Sequence, residues 1–131
     1  MNLAQSGYHM LMILSVVDGK YDVAEGKVIV DYLVKNYQLN IDIDKENQAL
    51  LAIEENGLPQ HFRQASQHFQ INSTHEQRVD FIAFAYRLVE ADGVVGREEN
   101  KILSSLANSW NIDIEPLLSE KKLAADLRGD N

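Results

Sequence analysis

Two segments of this chain, 74 residues apart, carry the same succession of residues. Each has an apolar helical stretch, an Asp-Gly pair, a short turn, a Glu and a second apolar stretch. The recurring polar residues are Asp18-Gly19 and Asp92-Gly93, followed by Glu25 and Glu99. The matching apolar pairs are Tyr8 with Ile82, Leu11 with Ala85, Met12 with Tyr86, Val28 with Ile102 and Ile29 with Leu103. Because an isolated hairpin cannot bury its apolar face, we expect the two copies to pack face to face about a pseudo-twofold axis.

The spacing of apolar residues predicts helices along the whole chain. The first covers about residues 2–17, and a glycine after Asp18 suits the turn that ends it. The other predicted helices begin near Asp22, Asp44, Pro59, Ser73, Gly96 and Asp113, where most starts are marked by caps or proline. The helix from Asp44 is predicted to end at Glu55, and Ser73 with Glu76 is predicted to form a capping box. We therefore predict an all-α bundle of about seven helices in two pseudo-symmetric helix-turn-helix halves, which the third and fourth helices bridge.

The length and the apolar content favour one domain. A chain of 131 residues with 45% apolar residues can bury one core, so we assign residues 1–127 to it and 128–131 to a disordered tail. The longest dense apolar run, Met10 to Val17, is far shorter than the roughly 20 residues that a membrane span needs. No export signal is visible. We expect a cytoplasmic protein without a membrane span.

The charge balance narrows the classes of partner. Twelve Lys and Arg against 20 Asp and Glu give a net charge of −8, which repels phosphate backbones and excludes a nucleic-acid role. It favours cations or a basic protein partner. The chain has no cysteine, so it can form neither a disulfide nor a zinc–thiolate site. No motif for a nucleophile or a phosphate-binding loop is present, and we expect no enzymatic activity.

The repeated carboxylates are the candidate metal ligands. In each copy the Asp lies at a helix C-terminus, where the helix dipole disfavours it, and the Glu lies in the first turn of the next helix. Pseudosymmetry would bring Asp18, Glu25, Asp92 and Glu99 onto one surface. Four close carboxylates repel one another unless they are protonated or bind a cation. Oxygen ligands suit Ca²⁺, Mg²⁺ or Mn²⁺ better than Zn²⁺.

Other interpretations of these residues remain open. Asp-Gly is a common turn, and a first-turn Glu is a common cap. Each of the two turns, residues 18–25 and 92–99, which we call the elbows, could therefore be structural only. The acidic face could recognise a basic protein without metal, or Glu25 or Glu99 could act as a base in an enzyme. The four histidines, including the evenly spaced His61, His68 and His75, are expected to be ordinary surface or boundary residues. Trp110 is expected in the core.

The elbow motifs resemble the signature of the TerB (tellurite-resistance protein B) family. The resemblance rests on Val17-Asp18-Gly19 with Glu25, and on Glu90-Ala91-Asp92-Gly93 with Glu98-Glu99. The first copy departs from the family pattern by having Val17 in place of alanine and a single Glu. The resemblance implies a bacterial cytosolic helical domain with two related halves and an acidic, cation-binding surface. It also implies a role in tellurite resistance and stress response, in some cases through membrane-associated partners, and similar domains accompany a J-domain co-chaperone.

Overall fold

A computed structural model describes residues 2–18, 23–37, 41–89 and 97–114, without the side chains of 16–18, 23–25, 55, 89 and 97–99. These residues form six α-helices and one 3-10 turn, and no strand is present among them. The elements are α1 (Leu3–Asp18), α2 (Val23–Tyr37), α3 (Ile43–Leu51), the 3-10 turn (Glu55–Gly57), α4 (Leu58–Asn72), α5 (His75–Val89) and α6 (Arg97–Ser109). The all-α prediction is confirmed. The predicted seventh helix beyond Asp113 and the predicted tail at 128–131 lie outside the described residues.

The repeat coincides with two helical hairpins, in which α1 packs on α2 and α5 packs on α6. The second helices of the two hairpins, α2 and α6, begin at Val23 and Arg97, which are 74 residues apart. Most of the matched apolar residues are buried in both copies. The buried pairs are Tyr8 with Ile82, Leu11 with Ala85, Met12 with Tyr86, and Ile29 with Leu103. The exception is the pair of Val28 and Ile102, since neither residue is fully buried. Val28 is 51% exposed, and Ile102 is partly buried against the core.

Helix α1 occupies the centre of the bundle and packs against all five other α-helices. Its residues 10–14 are consecutively buried, so its apolar surface extends around the helix and is wider than the single stripe that the spacing suggests. A helix that is apolar on all sides is stable only when neighbours cover each side. The buried polar side chains of α1 therefore contact another helix, as its apolar side chains do.

Gly7 allows this close packing around α1. A Cβ atom at this position would lie 2.8 Å from Cδ2 of Leu33 and 3.2 Å from Cε2 of Phe81. Carbon atoms repel strongly at such distances, so a larger residue would push α2 or α5 away from α1. Leu33 and Phe81 themselves are fully buried.

Helix α4 bridges the two hairpins through the ring of Phe69. The centroid of that ring lies 5.8 Å from Tyr37 of α2, 4.7 Å from Phe81 of α5 and 5.3 Å from Trp110, which follows α6. The Nε1 atom of Trp110 also donates a hydrogen bond of 3.2 Å to the carbonyl oxygen of Ser66 in α4. Trp110 is 2% exposed, which confirms its predicted place in the core.

Two helix ends differ from the sequence prediction. The capping box predicted at Ser73 and Glu76 is wrong by one residue: the backbone N–H of Thr74 donates to Oε1 of Gln77, and the N–H of Gln77 donates to Oγ1 of Thr74. Ser73 instead ends α4 in an extended conformation. Helix α3 ends at Leu51, before the predicted 55, because the N–H of Ile53 bonds back only three residues and tightens the chain.

Candidate functional site

Three of the four predicted metal ligands, Asp18, Glu25 and Glu99, lie in the last or first turn of a helix. Helix α1 ends at Asp18, while Glu25 and Glu99 are the third residues of α2 and α6. These first-turn positions agree with the sequence prediction for both glutamates. The side chains of Asp18, Glu25 and Glu99, and the whole of Asp92, lie outside the described residues. The four-carboxylate site therefore stays a prediction, and among the described residues no three His, Asp or Glu side chains are grouped to hold a metal.

The hairpins fix the backbone on both sides of each elbow. Leu14 and Leu88, which precede the two elbows by one turn, are buried, as are Ile29 and Leu103 after them. These residues again stand 74 positions apart in the chain. The two Glu positions therefore have equivalent places in their hairpins, each third in the second helix.

A hydrogen-bonded network of buried and partly buried polar side chains joins α1, α3 and α4. The Nε2 atom of His9 lies 3.0 Å from Oε1 of Glu46, and its Nδ1 atom lies 2.7 Å from Nε2 of His61. His9 and Glu46 are 3% and 5% exposed, so both side chains are largely removed from water. The Nε2 atom of Gln5 donates a longer hydrogen bond of 3.4 Å to the second carboxylate oxygen of Glu46. A buried carboxylate is tolerated when it is paired in this way.

The contacts in this network determine which nitrogen atoms carry a hydrogen. The Glu46 carboxylate accepts from Nε2–H of His9, and a single proton satisfies the two nitrogens that face each other between His9 and His61. Burial, and then the charge of His9, lower the pKa of His61. If both facing nitrogens carried an N–H, neither could accept a hydrogen bond and their contact would be lost.

The prediction that the histidines are ordinary surface or boundary residues is wrong for His9. Spacing within the chain does not reveal the group, since residues 9, 46 and 61 come from three different helices. The one feature of the sequence that could have indicated the group is the position of His9 within an apolar run, which the structure buries on every side of α1. A polar residue in such a run needs a partner, which here is Glu46.

A separate contact joins α2 to α5. The hydroxyl of Tyr32 donates a hydrogen bond of 2.6 Å to Oδ2 of Asp80, and the Tyr32 ring stacks on Phe84 with centroids 3.8 Å apart. Burial, followed by the hydrogen bond to Asp80, raises the pKa of Tyr32, so its hydroxyl remains a donor. These residues line a pocket of about 490 Å³ together with Lys35 and Arg87. The contact holds one hairpin against the other.

Comparison with known proteins gives one family. The family model described as Tellurite resistance protein TerB matches residues 7–117, which include both elbows and all six described α-helices except the first four residues of α1. No curated protein and no solved structure matched the chain. Within the described ranges, no helix combines the length and the apolar character needed to cross a bilayer. Given a match over most of its length, the chain belongs to the TerB family of tellurite resistance proteins.

Proposed function

We propose that this protein is a non-enzymatic accessory protein of a stress- or tellurite-resistance system, acts in the cytoplasm and binds a divalent cation. The proposed ligands are Asp18, Glu25, Asp92 and Glu99, and the proposed ion is Ca²⁺, Mg²⁺ or Mn²⁺. The observation that carries the proposal is the equivalence of the two hairpins. Their second helices start 74 residues apart, and each has its Glu at the third position.

Helix electrostatics support a cation at these elbows. A Glu in the first turn of α2 or α6 is favoured by the helix dipole, but a carboxylate at the end of α1 is disfavoured by about 0.3–1 kcal/mol. The same unfavourable Asp stands in the sequence before both turns. A divalent ion shared by the Asp and the Glu would offset this cost, and oxygen ligands suit hard ions.

A second candidate function uses the same acidic residues without metal. The net charge of −8 favours a basic protein as the partner, whether it is free or associated with a membrane. In this case, binding would weaken steeply with added salt, since charges on the surface are screened. The two candidates make opposite predictions about the effect of metal on the protein alone.

A titration of ¹⁵N-labelled protein tests the first candidate. Addition of Ca²⁺ or Mg²⁺ should shift the amide signals of Gly19 and Gly93 in a saturable manner, Mn²⁺ should broaden them, and Zn²⁺ should act more weakly. Calorimetry should give one ion per chain if the elbows share a site and two if they bind separately. The double variant Asp18→Asn with Asp92→Asn should lose binding. The matched control removes two exposed carboxylates elsewhere, through Asp31→Asn with Asp44→Asn.

The outcomes separate the candidates. If the folded protein shows no saturable shift with any of the four ions, the cation proposal is incorrect. If the control variant loses binding as fully as the elbow variant, the site lies elsewhere. Salt-sensitive binding of a basic protein that is lost in the elbow variant, without any response to metal, would instead support the second candidate.

A further inference from the structure

Helices α4 and α6 form the walls of a groove whose floor is α1. Both helices pack against α1, and Ile13 of α1 lines the space between them. The groove has a volume of about 950 Å³. On α4 its lining runs from Leu58 to Gln70, which is about 18 Å of helix at 1.5 Å per residue. None of the described residues that line it belongs to the elbows, so the groove is a surface separate from the proposed cation site.

The lining of this α4–α6 groove is apolar inside and polar at the rim. Ile13 and Leu106 are buried, and Phe62 and Ile102 are partly buried against the core. The exposed polar residues of the lining are Arg63, Gln67, Lys101, Ser105 and Ser109. An apolar strip of this length between polar edges matches one face of an amphipathic helix, in which apolar residues recur at i, i+3, i+4 and i+7.

The walls of the groove are fixed to each other at one end. Trp110, which follows α6, donates a hydrogen bond of 3.2 Å from its Nε1 atom to the carbonyl oxygen of Ser66, a residue of the α4 wall. Its ring also stacks on Phe69 of α4 with centroids 5.3 Å apart. A groove whose walls are already in place requires little ordering when a partner binds.

The rim has the opposite charge to the chain as a whole. Asp and Glu outnumber Lys and Arg by 20 to 12, yet the charged residues among the described lining are the cations Arg63 and Lys101, with no carboxylate. In the described part of the chain neither cation forms an ion pair. The pocket between α2 and α5 differs, because Asp31 and Asp80 line it together with its two cations. A partner that complements the α4–α6 groove therefore carries carboxylates.

We propose that the α4–α6 groove binds an acidic amphipathic helix of a partner protein. The apolar face of that helix packs on Phe62, Ile102 and Leu106, and its flanking carboxylates pair with Arg63 and Lys101. This partner is opposite in charge to the basic protein considered for the elbows. The proposal therefore stands or falls independently of the proposed function.

Selection from a displayed library of helical peptides tests the proposal, with the full chain as the target. The library keeps leucine at i, i+3, i+4 and i+7 of a helix of about 13 residues, which spans about 20 Å, and randomises the other positions. We expect the selected peptides to contain more Asp and Glu than Lys and Arg. General attraction to a chain of net charge −8 would instead select basic peptides.

Chemical shifts of the ¹⁵N-labelled protein locate the most strongly selected peptide. Its addition should shift the amide signals of Gln67 and Ser105, which line the groove, in a saturable manner. The signals of Asp31 and Asp80 at the pocket between α2 and α5 serve as the reference.

Reversal of the two rim charges tests their role in binding. Arg63→Glu with Lys101→Glu turns two attractive contacts into repulsive ones and should raise the Kd of the selected peptide at least about fivefold. The matched control, Lys35→Glu with Arg87→Glu, changes the net charge by the same amount at the other pocket and should leave the Kd within about twofold. The dispersion of each spectrum confirms that the variant is folded.

Four results would overturn the proposal. A selection that enriches no peptide, or that enriches basic peptides, would exclude an acidic helix as the occupant. Shifts at Gln67 and Ser105 no larger than the reference shifts would place the peptide elsewhere. Equal weakening by both double variants would reduce the effect to net charge. Shifts of Gln67 and Ser105 that depend on protein concentration without peptide would assign the groove to a second copy of the chain.

Discussion

The Nδ1 atom of His9 in α1 and the Nε2 atom of His61 in α4 lie 2.7 Å apart. At this distance one proton must lie between the two nitrogens. Glu46, on the other side of His9, fixes which nitrogen of His9 bears the remaining proton. This contact between α1 and α4 therefore requires that only one of the two facing nitrogens bears a hydrogen.

Acidification is expected to destabilise the protein through His61. Its pKa is lowered in the folded state, first by burial and then by His9, relative to an ordinary value near 6.5. The unfolded chain therefore binds more protons as the pH falls through about 6.5, and the free energy of unfolding decreases from there down to the folded-state pKa. Urea unfolding at pH 8 to 5 measures this dependence. His61→Gln should flatten the slope, whereas His75→Gln, at an exposed position, should leave it unchanged; equal slopes in all three proteins would contradict the prediction.

Replacement of Glu46 tests whether the buried carboxylate is required. Glu46→Leu leaves Nε2–H of His9 without an acceptor and should lower the free energy of unfolding by about 1–3 kcal/mol. Glu46→Gln retains an acceptor oxygen and should cost less. The control Glu54→Leu changes an exposed glutamate and should have little effect in the same denaturation assay. A Glu46→Leu variant as stable as the wild type would show that the hydrogen bond to His9 contributes little.

Gly7→Ala is expected to destabilise the fold although alanine is the better helix former. The added methyl would meet Leu33 at 2.8 Å and Phe81 at 3.2 Å, and such overpacking costs about 1–3 kcal/mol. This exceeds the gain in helix propensity of about 1 kcal/mol at most. Gly57→Ala is the matched control, because its nearest contact is Ile53 at 3.4 Å. Thermal unfolding should rank Gly7→Ala well below Gly57→Ala, and the reverse order would refute the packing argument.

The register of the capping box can be measured directly. Thr74→Ala removes the side-chain acceptor for the N–H of Gln77 and should cost about 0.5–2 kcal/mol. Ser73→Ala should cost less, since the guanidinium of Arg78 also donates to the carbonyl oxygen of Ser73 and keeps that partner. Chemical denaturation of the two variants provides the comparison. A larger loss with Ser73→Ala would restore the box that the sequence predicts.

Much of the helical architecture was predictable because local and tertiary signals agree. In α1, α2, α5 and α6, apolar residues recur at helical spacing and also recur 74 positions later. The duplicated pattern therefore marks both the helices and the faces that meet. Leu11 with Ala85, and Ile29 with Leu103, are buried as their correspondence suggests. The all-α class follows from the same reasoning.

Details that depend on competition between neighbouring groups were not predictable in this way. Ser73 with Glu76 and Thr74 with Gln77 both have the spacing of a capping box, and only the path of α4 decides between them. The histidine group was missed because its members are 37 and 52 residues apart in the chain. Sequence spacing shows which residues share a helix, but not which helices meet.

The ring of Phe81 lies against Gly7, and these two residues are also 74 positions apart. Two residues that correspond to each other and are in contact must lie close to the pseudo-twofold axis that relates the two halves. There, one half supplies the hollow and the other supplies the ring that fills it. Two identical copies of the first half would leave a void at this point, and two copies of the second would collide. The halves have thus diverged into complementary parts, so a swap of one hairpin for a second copy of the other would not restore the bundle.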